Sequence, residues 1–121
     1  MRRPLIINFK NYLEVSAIKT INLALAAQKV AETLEAEIVL APPQPSIGLV
    51  IEKVNIPVVC QHVDDAEVGS TTGFFIPEMA KSYGASGSLL NHSEHRLGVN
   101  TILSLIKRLR QLNMTSIVCA R

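Results

Sequence analysis

The chain has 121 residues, is 48% hydrophobic and 18% charged, and carries a formal net charge of +2. It is one domain or part of one, long enough to bury a real core and too apolar for a disordered chain. Scattered basic residues without aromatic interleaving argue against nucleic-acid binding, and no run approaches the roughly 18 apolar residues of a membrane span.

Arg2-Arg3 precedes an apolar run too short for a signal peptide, which soon meets Asn8 and Lys10. Leu5 to Phe9 instead reads as a first strand ending in an amide and a lysine. Ile18, Ile21 and Leu25, then Val30 and Leu34, form a helical stripe. Glu37 to Ala41 reads as a second strand, Ser46 to Lys53 as a short helix and Ile56 to His62 as a third strand. From about Val63 to Ile76 the chain is irregular, and loops of that length in compact domains usually serve catalytic sites or subunit contacts. Phe74-Phe75 follows this loop, two aromatics not expected at an exposed site in a monomer. Pro77, a favoured first-turn residue, opens a short helix. Gly87 to Asn91 is a fourth strand running into His92-Ser93-Glu94. Ile102, Leu105, Ile106 and Leu109 then mark an amphipathic helix, whose solvated face carries Lys107, Arg108 and Arg110. Thr115 to Ala120 is a fifth strand. Cys60 and Cys119 each sit in an apolar run, as buried thiols of a reducing cytoplasm would, rather than as a disulfide.

Near-continuous apolar strands separated by helices predict an α/β fold with a parallel sheet covered by helices. The pattern is strand-helix four times, then a fifth strand. Such folds place their chemistry at the C-terminal ends of strands. Asn8, Lys10, His92 and Glu94 fall there and predict a polar pocket. A lysine and a histidine at neighbouring strand ends can stabilise negative charge developing on an enolate oxygen. His62, at a strand end, can line the pocket but reads more readily as a satisfied structural histidine, and His95 reads as a surface or capping residue. His92 and His95 with Asp64 and Asp65 lack a third well-spaced ligand, so no metal is expected. Ser93 sits on no nucleophile elbow, and no Gly-rich dinucleotide fingerprint occurs.

Four places in the sequence resemble the triosephosphate isomerase family, most closely its short archaeal form. They are Asn8-Phe9-Lys10; Gln61-His62 with the Gly-x-x-Thr-Gly loop at Gly69 to Gly73; Gly84-Ala85-x-Gly87 leading into Leu89-Leu90-Asn91-His92-Ser93-Glu94; and Ile117-Val118-Cys119. The matches are in order and span nearly the whole chain. The resemblance implies parallel (β/α) units of a TIM (β/α)8 barrel, with residues 1–121 the N-terminal part of one domain, five strands present and the barrel incomplete. It implies interconversion of dihydroxyacetone phosphate and glyceraldehyde 3-phosphate through an enediolate, in glycolysis and gluconeogenesis. His92 would polarise the carbonyl as a neutral imidazole. Lys10 would attract the dianionic substrate, Asn8 would bind near its oxygens, and Ser93 and Glu94 would support them, Glu94 as a partner of Lys10. The need for a neutral histidine is a known case of pKa tuning in this enzyme. Thr72 and Gly73 would lie on a loop reaching a neighbouring subunit.

The resemblance further implies that the catalytic glutamate, the mobile lid and the phosphate-gripping loops belong to later strands, so the chain by itself is expected to be inactive. The partners expected are a small phosphorylated triose and further copies of the chain, in the cytoplasm, with no cofactor, nucleic acid or membrane. A non-catalytic half-barrel or assembly module of the same fold is the competing expectation. A flavodoxin-like domain would also fit five strands, but the first strand here is followed by no phosphate loop.

Overall fold

The apolar runs fold into strands that are shorter than the sequence suggests, in a computed structural model that describes residues 3–120. Arg2, of the N-terminal basic pair, and Arg121 lie outside the described residues. In chain order the elements are β1 (Leu5–Asn8), α1 (Lys19–Leu34), β2 (Ile38–Ala41), α2 (Ile47–Lys53), β3 (Val59–Cys60), α3 (Pro77–Tyr83), β4 (Gly87–Leu90), α4 (Val99–Gln111) and β5 (Thr115–Val118). Single 3-10 turns at Leu13–Val15 and Gln44–Ser46 precede α1 and α2.

All strand pairs are parallel. β1 pairs with β2 from Leu5↔Ile38 to Asn8↔Ala41, and β4 with β5 from Gly87↔Thr115 to Leu90↔Val118. A lone bridge, Leu40↔Val58, joins the β1-β2 pair to the β3-β4-β5 sheet. Spatial order thus follows chain order, and the sheet stays open with β1 and β5 at its edges. This is the expected parallel (β/α) architecture, with five strands of an unclosed barrel. β3 is much shorter than the run Ile56 to His62. Pro57 has no N–H to give to a ladder. At the other end, Gln44 captures the backbone, accepting from Gln61 N–H at 3.0 Å and donating to His62 C=O at 2.8 Å.

Alternation along the strands makes two apolar layers. Leu40, Cys60 and Leu90 face the helices and pack with Ala24, Leu105 and Leu109. Ala41, Val59 and Leu89 face the concave side with Ile6, Val39 and Ile117. β4 is buried along its whole length, and a Cβ on Gly87 would lie 2.2 Å from Thr115 O, so only glycine permits this spacing of β4 and β5.

α4 turns its predicted stripe inward, with Leu105 and Leu109 fully buried. α1 does the opposite. Its core face is Thr20, Ala24, Ala27 and Ala31, while Ile18 and Leu34 are 72% and 70% exposed. Small side chains let this helix lie close against the β1-β2 pair, which leaves the large ones facing outward. Three further expectations need correction. Arg108 is not simply solvated, because it bridges Glu78 at 2.6 Å and Asp65 at 3.1 Å, holding α4 to α3 and the long loop. Phe75 turns inward against the core while Phe74 stays 58% exposed. Cys60 is buried but Cys119 only half so. Among the described residues no helix is long and apolar enough to cross a membrane.

Candidate functional site

β1, β3 and β4 all end at one open cavity of about 660 Å³. Its walls include Asn8, Lys10, Asn11 and Tyr12 from the first strand end, and Gln44 from the turn before α2. Gln61, His62 and Asp64 come from the end of β3, Gly73 and Phe75 from the long loop, and His92, Glu94 and His95 from the turn after β4.

Lys10 is held in a conformation that a lysine rarely adopts, with φ of 54°. Such strain persists only where surroundings over-determine it. Here the Asn8 carboxamide oxygen accepts the Lys10 N–H at 2.9 Å, and Gln61 Nε2 donates to Lys10 O at 3.0 Å and Ala41 O at 3.2 Å. Lys10 Nζ then reaches Glu94 Oε1 at 3.0 Å. The hydrogen bond to Glu94 and its charge raise the Lys10 pKa, and the same bond lowers that of Glu94. Both groups are therefore ionised at neutral pH.

The turn after β4 is fastened to β5. Asn91, at φ 61°, donates to Cys119 O at 3.0 Å and accepts from Leu97 N–H at 2.9 Å. This presents His92, whose Nδ1 accepts the Glu94 backbone N–H at 3.1 Å. A Glu94 carboxylate oxygen lies 3.5 Å from the same nitrogen. The amide donor is shorter and fixed in direction, so Nδ1 is assigned as the acceptor and Nε2 as the atom bearing the proton. In that tautomer Nε2–H is available to donate.

Of the residues singled out from the sequence, Asn8, Lys10, His92, Glu94 and Gly73 meet at the cavity, whereas Ser93 and Thr72 are exposed and do not line it. Gly73 takes a φ of 88°, which explains a glycine there without any crowding. His62 takes both of its readings, pocket-lining and hydrogen-bonded to Asp64, while His95 needs revision. Both line the cavity, with their rings stacked 3.7 Å apart at 16°. Sequence reasoning also gave no role to Gln44, Gln61 or Asn91, whose amides hold the strand ends in place. Gln44, a lone amide between Pro43 and Pro45, was the one visible signal.

The cavity offers donors in Lys10, His92 and the amides, suited to an anionic oxygen. Its carboxylates are engaged, Glu94 by Lys10 and Asp64 by His62 at 2.9 Å and by Phe75 N–H at 2.8 Å. The buried Cys60 thiol, pushed up to about 12 by desolvation, is no nucleophile. Among the described residues no group of three His, Cys, Asp or Glu could hold a metal.

Parallel (β/α) units with donors gathered beyond the carboxyl ends of their strands define a protein of the TIM-barrel class. The comparisons narrow this. The family model described as Triosephosphate isomerase matches residues 4–121. The triosephosphate isomerase of Cenarchaeum symbiosum (strain A) is 46% identical over 117 residues, covering 97% of this chain and 52% of that protein. That of Methanothermus fervidus is 42% identical over 120 residues, covering 98% of this chain and 54% of that protein. The crystal structure of triosephosphate isomerase from Bartonella henselae superposes with a TM-score of 0.81 over 99% of this chain and 52% of its own, at 18% identity, a likeness of fold alone. The chain belongs to the triosephosphate isomerase family. It spans about half the length of the relatives it matches.

Proposed function

We propose that this chain carries the electrophilic half of a triose-phosphate isomerase site, acting on dihydroxyacetone phosphate and glyceraldehyde 3-phosphate through an enediolate. Residues 1–121 are then the N-terminal part of one TIM-barrel domain, working in cytoplasmic glycolysis and gluconeogenesis as a homo-oligomer. One observation carries this reading: Lys10 and His92 converge on one cavity, each locked by its neighbours into a state suited to a developing oxyanion. Preorganised donors of this kind stabilise charge without having to reorganise as it forms.

In this reading Lys10 draws in the phosphate dianion and leaves Glu94 for substrate oxygen as the site fills. His92 donates from Nε2 to the carbonyl oxygen and shares its proton as the enediolate forms. Asn8 sets the Lys10 backbone and places an amide beside the substrate, while Ser93 completes the turn that carries His92. Moving the carbon proton requires a free carboxylate. The resemblance assigns Glu94 to a different position and puts that base on a later strand, in the part of the family's length that this chain does not span, so the chain alone does not turn over.

A coupled isomerase assay tests the reading. The purified 121-residue chain should be silent. Mixed with a polypeptide carrying the rest of the family's length, it should gain activity that His92→Gln removes. A folded complex without turnover would count against the proposal and favour a non-catalytic half-barrel. Turnover by the chain alone, lost in His92→Ala, would place the base within these residues.

A further inference from the structure

His62 and His95 form the one aromatic stack among the described residues, on the wall of the cavity. The His62 ring is tied at its other side, and His95 is tied through its backbone. The His62 ring donates from Nε2 to Asp64 Oδ1 at 2.9 Å. Burial pushes Asp64 upward, but the Phe75 backbone bond, the His62 bond and the nearby imidazoles together hold it below its ordinary value, so it is an ionised acceptor. Asp64 Oδ2 accepts the Phe75 N–H at 2.8 Å, and Asp64 N–H donates to Phe75 O at 2.8 Å. Both ends of the long loop are thereby closed on Asp64. Across the stack, the His95 backbone N–H donates to His92 O at 2.8 Å, within the same turn in which Glu94 N–H sets His92 Nδ1. A continuous path therefore runs from Phe75 through Asp64, His62 and His95 to His92.

We propose that His62 and His95 are positioning residues: their stack braces the turn that carries His92 and ties it to the loop of residues 63–76. Stacked rings in contact fix each other's plane, and the plane of His95 constrains the backbone that carries His92 O. The other titratable groups lining the same cavity are Lys10, Tyr12, His92 and Glu94. The consequence for catalysis rests on the reading of His92 given above, but the coupling itself does not.

It is read without substrate, by long-range proton–nitrogen spectra of the histidine rings in the 121-residue chain at pH 8. The wild-type chain should show His92 dominantly as the Nε2–H form. His95→Ala should raise the minor Nδ1–H form about two- to tenfold, the equilibrium equivalent of one aromatic stack. His95→Phe, which keeps a ring over His62 but cannot titrate, should restore the wild-type ratio. Asp64→Asn, at the far end of the path, should shift the ratio in the same direction. An unchanged His92 ratio in either His95→Ala or Asp64→Asn would overturn the proposal, as would a His95→Phe chain no better than His95→Ala. Loss of the strand amide signals in any variant would overturn it too, since the residues would then hold the domain and not the turn. A missing coupling would leave the isomerase reading untouched, and missing turnover would leave the coupling untouched.

Discussion

Gly87→Ala should be among the most damaging single substitutions in this chain, although it adds one methyl group. The added Cβ would sit 2.2 Å from Thr115 O, 3.0 Å from Thr115 C and 3.1 Å from its Cβ, where ordinary contact begins at 3.4 Å. The obstacle is backbone, so no side-chain rotation relieves it, and β4 and β5 must part by about 1 Å. Overpacking of that kind costs about 1–3 kcal/mol. Parting the strands also strains Thr115 N–H to Ser86 O, now 2.9 Å, and Cys119 N–H to Leu90 O, now 2.8 Å. Each such bond is worth about 1 kcal/mol, so the total is roughly 3–5 kcal/mol. That is a large share of the 5–15 kcal/mol typical of a domain. With a urea slope of about 1–3 kcal/mol per molar, the unfolding midpoint should fall by roughly 2 M at unchanged slope. Gly98→Ala is the control, since nothing lies within 4 Å of its added carbon and only an N-cap preference of under about 1 kcal/mol is lost. A Gly87→Ala chain within about 0.5 kcal/mol of wild type would refute the close-approach argument.

In the enzyme completed by the rest of the family's length, Lys10→Met should lower kcat/KM about a hundredfold or more, and His95→Ala should cost less; equal losses would erase the distinction between direct and positioning roles. Burial pushes the His62 pKa below 6.5 despite its bond to Asp64. The unfolded chain therefore takes up this proton first as pH falls, so stability is full above pH 6.5 and declines below it. Denaturant melts from pH 8 to 5 should show that decline, and His62→Asn should flatten it; a stability that rises on acidification would contradict the sign. Leu5 and Val118, on the two open edge strands, are 59% and 42% exposed, so the chain should self-associate; light scattering giving a sharp 13.2 kDa monomer at every dilution would defeat this. Iodoacetamide should modify the half-buried Cys119 at least about tenfold faster than the buried Cys60, and comparable rates would show that Cys60 is reached by solvent.

The order of elements was legible in the sequence because each strand is a β-branched run and each connection has a helical period, both of them local signals. The stripe on α4 pointed inward as read, and Pro77 opened α3 at the expected position. Asn8, Lys10, His92 and Glu94 could be assigned to strand ends, since an apolar run that stops at polar residues marks where a strand leaves the sheet. Local pattern failed on α1, where the larger apolar residues lost the core to Thr20, Ala24, Ala27 and Ala31. Only the closeness of the helix to the sheet decides between small and large side chains. It failed on β3 as well, whose last residues were captured by Gln44, 17 positions earlier in the chain. The stack of His62 on His95 and the bond from Lys10 to Glu94 also join residues far apart in sequence. Sequence by itself determined which residues reach the C-terminal end of the sheet. Which of them touch, and in what protonation state, was decided by tertiary structure, because strand order and register bring distant turns within hydrogen-bonding distance.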